Sequence, residues 1–243
     1  MRLFGRKTPD QRDAAPSGVQ SAAQALGTLF ETRVIDADGR IRVEDLLTAG
    51  SAVCGEACIA AAGELDPESH QLVPGSAALS DRVNEVLCAN AREWSKAGES
   101  VFGVIHAGAL AGGYAPSDFP ELADVFRVYV SLLGGAGTDR WGFVGLSVPQ
   151  DNWPLVPPLR HAYDLRAPVR EILARYGVPR SAWPAACAHA LVNELARVRT
   201  AIEPAVAIRI VLETTNGMAK MAPLTDRHVR EATATNETPE THG

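Results

Sequence analysis

The sequence predicts a mainly α fold: a single irregular helical domain of about six to eight helices, with one long Gly/Pro-rich connection and at most a minor hairpin. Three observations predict it. Apolar residues recur at helical spacing over most of the chain, helix starts and stops are punctuated by Ser, Asp, Pro and Gly, and no repeat of fixed period suggests a solenoid. With 243 residues, 46% hydrophobic and 21% charged, the chain has enough apolar material for a sizeable core. Residues 1–18 and 224–243 are polar and read as disordered tails, so the domain is expected over 19–223.

The elements follow in order. Residues 19–31 form a first helix, and 32–43 form a short hairpin or loop around Asp36-Ala37-Asp38-Gly39. Residues 43–65 carry Leu46, Leu47, Val53, Cys54, Cys58 and Ile59 among small residues on nearly every side, the mark of a central buried helix. Residues 78–97 place Leu79, Val83, Val86, Leu87 and Trp94 on one face of an amphipathic helix. Residues 101–112 form another apolar helix, ended by Gly112-Gly113, and 118–133 form one with Asp118 as cap and Pro120 in its first turn.

The stretch 134–159 holds four prolines and five glycines and is the long connection, with 141–148 as one short candidate strand. Helices resume at 165–176 and at 181–200, the latter with Ser181 as cap. Residues 204–217 alternate like a strand but begin with Pro204 and end with Gly217; helical neighbours and the lack of a pairing partner favour helix.

Composition excludes several function classes. A membrane-spanning helix needs about 20 predominantly apolar residues. The best run, Val101 to Tyr114, has 14 and contains His106, so no membrane span is expected. Arg2, Arg6 and Lys7 lead into polar residues rather than an apolar leader, and the four cysteines match neither a disulfide framework nor paired zinc spacing. A cytoplasmic protein with reduced thiols is the simplest reading. Charge is uneven: residues 31–158 carry 8 basic and 18 acidic residues, and residues 159–230 carry 11 and 6. Complementary packing of the two halves accounts for this, and nucleic-acid binding by the Arg-bearing helices is not favoured. Arg outnumbers Lys 20 to 3, which fits the codon bias of an Ala-rich bacterial genome.

Several residues could carry chemistry. Asp36, Asp38 and Asp45 fall at positions 3, 5 and 12 of a calcium loop aligned on Gly39, but position 1 is Val34 and position 12 lacks the bidentate Glu. An ordinary Asp-Gly turn is the favoured reading. Cys54 and Cys58 share a helix face, yet two ligands do not make a site, and Cys88 falls on the polar side of its helix. Glu56, Asn90 and His106 are polar groups at apolar positions and are the candidates for a pocket between helices. His189, Asn193 and Arg197 form a solvated stripe, and the run 134–138 lacks the Lys of a phosphate loop. Trp141, Phe143 and Trp153 gather on the long connection as candidates for contact with a partner.

No cofactor is expected, and no residue is assigned a catalytic role. Function reads first as protein-protein contact, with another protein or as a homodimer. The alternative is a small-molecule-binding protein or enzyme whose pocket lies between helices.

Overall fold

The computed structural model describes residues 17–63, 72–131 and 141–229. Eight α-helices are defined among them: α1 Gly18–Val34, α2 Val43–Ala62, α3 Asp81–Cys88, α4 Val101–Ala111, α5 Leu122–Ser131, α6 Pro158–Arg175, α7 Trp183–Val198 and α8 Pro204–Met218. The mainly α expectation holds. The described residues contain isolated bridges, Ile35 with Ile41 and Ala77 with Met221, in place of a β-ladder. The first closes the expected minor hairpin, with Gly39 at φ 78° in the left-handed position that favours glycine.

α2 is the hub. Fifteen of its twenty residues are buried, and it packs on α1, α3, α6, α7 and α8. By length and composition it is the one helix among the described residues that could cross a membrane; α4 is apolar but shorter. Its apolar surface is used inside the fold, where 83% of its most apolar 18-residue stretch is buried. α8 is the second central helix, so the ambiguous segment 204–217 is helical. The contact between the two is close because Gly55 has no side chain: a methyl group there would lie 2.6 Å from Met218 Cβ, 2.7 Å from the Thr215 carbonyl oxygen and 2.8 Å from the Ala219 nitrogen.

Three helices begin on serine caps. Ser17, Ser80 and Ser100 each accept a bond from the amide three residues on, at 3.2–3.3 Å, which satisfies one orphan donor of the first turn.

Elsewhere the boundaries differ from the expectation. The amphipathic run 78–97 is helical only over α3, because Ala89 and Asn90 take left-handed backbone, φ 55° and 54°, and the chain restarts as a single 3-10 turn at Trp94–Lys96. Asp118 closes the turn before α5 by accepting from Ala115 N at 2.7 Å, and the helix starts at Leu122. Ser181 lies in a 3-10 turn, and α7 starts at Trp183.

α6 begins seven residues earlier than expected and runs through Pro168. An interior proline costs about 3 kcal/mol. Leu159, Leu165, Val169 and Leu173, all buried on one face, each contribute about 1.5–3 kcal/mol, so packing outweighs the local cost.

The short strand expected over 141–148 is not formed: these residues are a turn followed by irregular backbone without a ladder partner. Leu224 and Thr225 are buried, and a helical turn follows to Val229. The remainder of both expected tails, and the 134–138 glycine run, lie outside the described residues. The charge halves pack on each other as expected: Glu31 pairs with Arg197 and Glu56 with Arg166 across the two parts.

Candidate functional site

A shallow groove, about 340 Å³ when the open solvent at its mouth is counted, lies between α2, α6 and α7. Its walls are mainly apolar or small: Val53, Ala57 and Ala60 from α2, Ala162, Val169 and Leu173 from α6, and Trp183 from α7. The alanines leave the space, because truncated side chains on neighbouring helices cannot fill it. Trp183 is held by its indole N–H, which donates to the Val178 carbonyl at 3.1 Å.

Glu56 lies in this groove, bridged to Arg166 by two hydrogen bonds, the one from Nη2 to Oε2 at 3.0 Å. Both side chains are about one-sixth exposed or less, at 15% and 16%. The Arg166 guanidinium also lies 5.7 Å from the Tyr163 ring centroid. Burial disfavours its charge, but the bonds and charge of Glu56 hold its pKa above the usual value. Arg170, one turn further along α6, completes the groove and is exposed.

The three pocket candidates do not meet. Asn90 is exposed in the left-handed turn after α3, and neither it nor His106 lines the groove. His106 is half-buried in an aromatic cluster, stacked on Trp94 at 5.1 Å and edge-on to Phe119 at 4.6 Å. Burial lowers its pKa, which favours the neutral ring.

The calcium-loop candidates are also separated. Asp36 accepts from the amides of Asp38 and Arg40 at 2.9 and 2.8 Å, and Arg40 pairs with both Asp36 and Asp38. The backbone bond from Arg40 is the main reason the Asp36 pKa lies below the ordinary value. Asp45 points elsewhere. It is buried and accepts from Leu155 and Val156 N at 2.9 and 3.1 Å, anchoring the long connection. Burial pushes its pKa up, but His161 and these two amides outweigh it and hold the carboxyl below the ordinary value. Among the described residues no three His, Cys, Asp or Glu side chains are grouped to hold a metal.

Of the connection's aromatics, Phe143 is buried, Trp153 is half-buried and stacked on it at 6.4 Å, and Trp141 is 59% exposed. All four cysteines are buried and unpaired, including Cys88, because α3 is one short element whose nominal polar side is covered.

Comparison with protein-family models, with curated proteins and with solved structures gives no match.

Three features were not legible as sites in the sequence. Arg166 and Arg170 stand four apart, one helical turn, which could have marked them as a pair once α6 was extended upstream. Lys220 is buried at the end of α8, and Asn216, again one turn away, accepts from its ammonium. A third buried group, Glu213, accepts from Ser147 N at 2.6 Å and from its hydroxyl, with Arg209 alongside. Burial raises its pKa despite those bonds. It ties the connection to α8, as Asp45 ties it to α2.

Proposed function

We propose that the protein binds a small apolar carboxylate in the groove between α2, α6 and α7. The observation that carries this reading is Arg170: an exposed guanidinium, without an ion pair among the described residues, at the edge of an apolar groove whose other charges, Glu56 and Arg166, neutralise each other. An apolar cleft with a few placed polar groups is the general form of a small-molecule site. The apolar body would contact Trp183, Ala57 and Leu173, and the carboxylate would take the planar fork of Arg170.

The test is calorimetric titration with octanoate and with 1-octanol as the uncharged comparison. Octanoate binds the wild type, octanol binds more weakly, and Arg170→Ala weakens octanoate at least roughly tenfold, as loss of a charge-assisted hydrogen bond requires. No heat with octanoate at millimolar concentration, or equal binding of the two probes, sinks the reading.

A second reading, contact with another protein or a homodimer, is favoured by Trp141 and Leu155, 59% and 68% exposed on the long connection. Sedimentation of the wild type against Trp141→Ala separates it: a dimer that the substitution dissolves supports this reading, and a monomer in both removes the homodimer. The four unpaired buried thiols support a cytoplasmic, reducing setting for either reading.

A further inference from the structure

Lys220 is 6% exposed, and among the described residues no carboxylate pairs with it. A buried ammonium ordinarily carries an acidic partner, because removing it from water is costly. Here the surroundings are a side-chain amide, a ring and two thiols. The Asn216 carboxamide oxygen accepts one N–H, and Nζ lies 4.2 Å from the Phe126 ring centroid. The orientation of Asn216 is fixed independently, since its Nδ2 donates to the Val125 carbonyl at 3.2 Å, so its oxygen is turned toward the lysine. The ionisable side chains that act on it are the buried thiols of Cys88 on α3 and Cys58 on α2, and burial raises the Cys88 pKa. The Tyr129 hydroxyl is engaged by the Lys220 backbone carbonyl rather than by the amine.

From this geometry we infer that Lys220 is a reactive amine that forms imines with small aldehydes. An amide acceptor holds one N–H and leaves the nitrogen lone pair for an electrophile, whereas a carboxylate would hold the group as ammonium. The neutral Nζ adds to the aldehyde carbon, forming the C–N bond as the carbonyl π pair moves to oxygen. One proton passes from nitrogen to that oxygen, giving a carbinolamine. The oxygen then leaves as water with the second nitrogen proton as the C=N bond forms. Amine and aldehyde thus give imine and water, with no oxidant or reductant consumed. Burial supports the same conclusion, bringing the Lys220 pKa down to about 8, so that the neutral fraction at pH 7 exceeds that of an ordinary lysine by a factor of roughly 200–300.

The chain supplies its own controls, since Lys7 and Lys96 are its only other lysines and Lys96 is exposed and paired with Glu93. The full-length protein is treated with propionaldehyde and cyanoborohydride at pH 7, and alkylation of each lysine is followed by peptide mass spectrometry. Lys220 is alkylated at least roughly tenfold faster than Lys96 in the folded protein, and the two rates converge in urea. Asn216→Asp places a carboxylate beside Nζ, restores the ammonium and slows Lys220 labelling roughly tenfold or more while leaving Lys96 unchanged. Labelling of Lys220 no faster than Lys96 in the folded wild type overturns the inference, as does an Asn216→Asp variant, folded by circular dichroism, that labels at the wild-type rate.

Discussion

The hydroxyl of Tyr129 donates to the backbone carbonyl of Lys220 at 2.7 Å, joining the C-terminal part of α5 to the chain just after α8. The same oxygen accepts from Ala78 N at 2.7 Å, so three distant segments converge on one carbonyl. Tyr129 is 4% exposed, and burial pushes its pKa up to about 12. Tyr129→Phe removes one buried bond but leaves the carbonyl satisfied by Ala78. It therefore costs about 1 kcal/mol in urea denaturation. A loss above about 3 kcal/mol would mean that the hydroxyl supports more than this carbonyl.

Gly55 sets the approach of α2 to α8. Of the atoms a methyl group would meet, the Thr215 carbonyl oxygen and the Ala219 nitrogen are backbone and cannot rotate away. Gly55→Ala is expected to lower stability by about 1–3 kcal/mol, as overpacking does, although alanine has the better helix propensity. An unchanged denaturation midpoint would show that the helices can separate without cost.

The Glu56–Arg166 pair joins oppositely charged parts of the chain in a partly buried setting. Removing either partner strands the other, so Glu56→Gln and Arg166→Met each cost about 2 kcal/mol, while the double variant costs less than the sum of the two. The double-mutant cycle in guanidinium chloride measures this coupling. Strict additivity would show that solvent screens the pair fully.

Lys220 makes stability depend on pH in a definite direction. Its folded pKa, about 8, lies below the ordinary lysine value, so between about pH 8 and the unfolded value near 10.4 the unfolded chain holds more protons on this group. Its contribution to stability therefore rises with pH across that window. The groups facing it act in the opposite sense. Burial raises the Cys88 thiol on α3 and the Tyr129 hydroxyl on α5, so the unfolded chain loses those protons first, and Asn216 on its own helix does not titrate. The difference between wild type and Lys220→Met isolates the lysine. From pH 8 to 10 wild-type stability should gain on that of the variant in urea titrations, and a constant difference would refute the shift.

Local pattern carried much of the fold. The small and apolar residues all round α2 announced a central helix, because only a helix buried on every side tolerates that composition, and the serine and proline signals lay close to real helix starts. Boundaries were less legible where packing overrides propensity. Pro168 disfavours a helix by local propensity, yet the buried face from Leu159 to Leu173 carries α6 through it, and Asn90 reads as an apolar-face position until the chain turns left-handed after Cys88. The candidate site was half legible. Glu56 stood out as a carboxylate among apolar neighbours, but its partner is 110 residues away, and no local period reveals that distance.

The sequence by itself determined the helical class, the central place of α2 and the opposed charges of the two parts. Those properties depend on spacing along the chain, which is written in it. Only the tertiary structure decided which buried polar groups meet: Glu56 with Arg166, Glu213 with Ser147, and Lys220 with Asn216 and Phe126 in place of a carboxylate. The reason is physical. A burial penalty is a property of one side chain, whereas its compensation depends on the atoms that helix packing brings within hydrogen-bond reach.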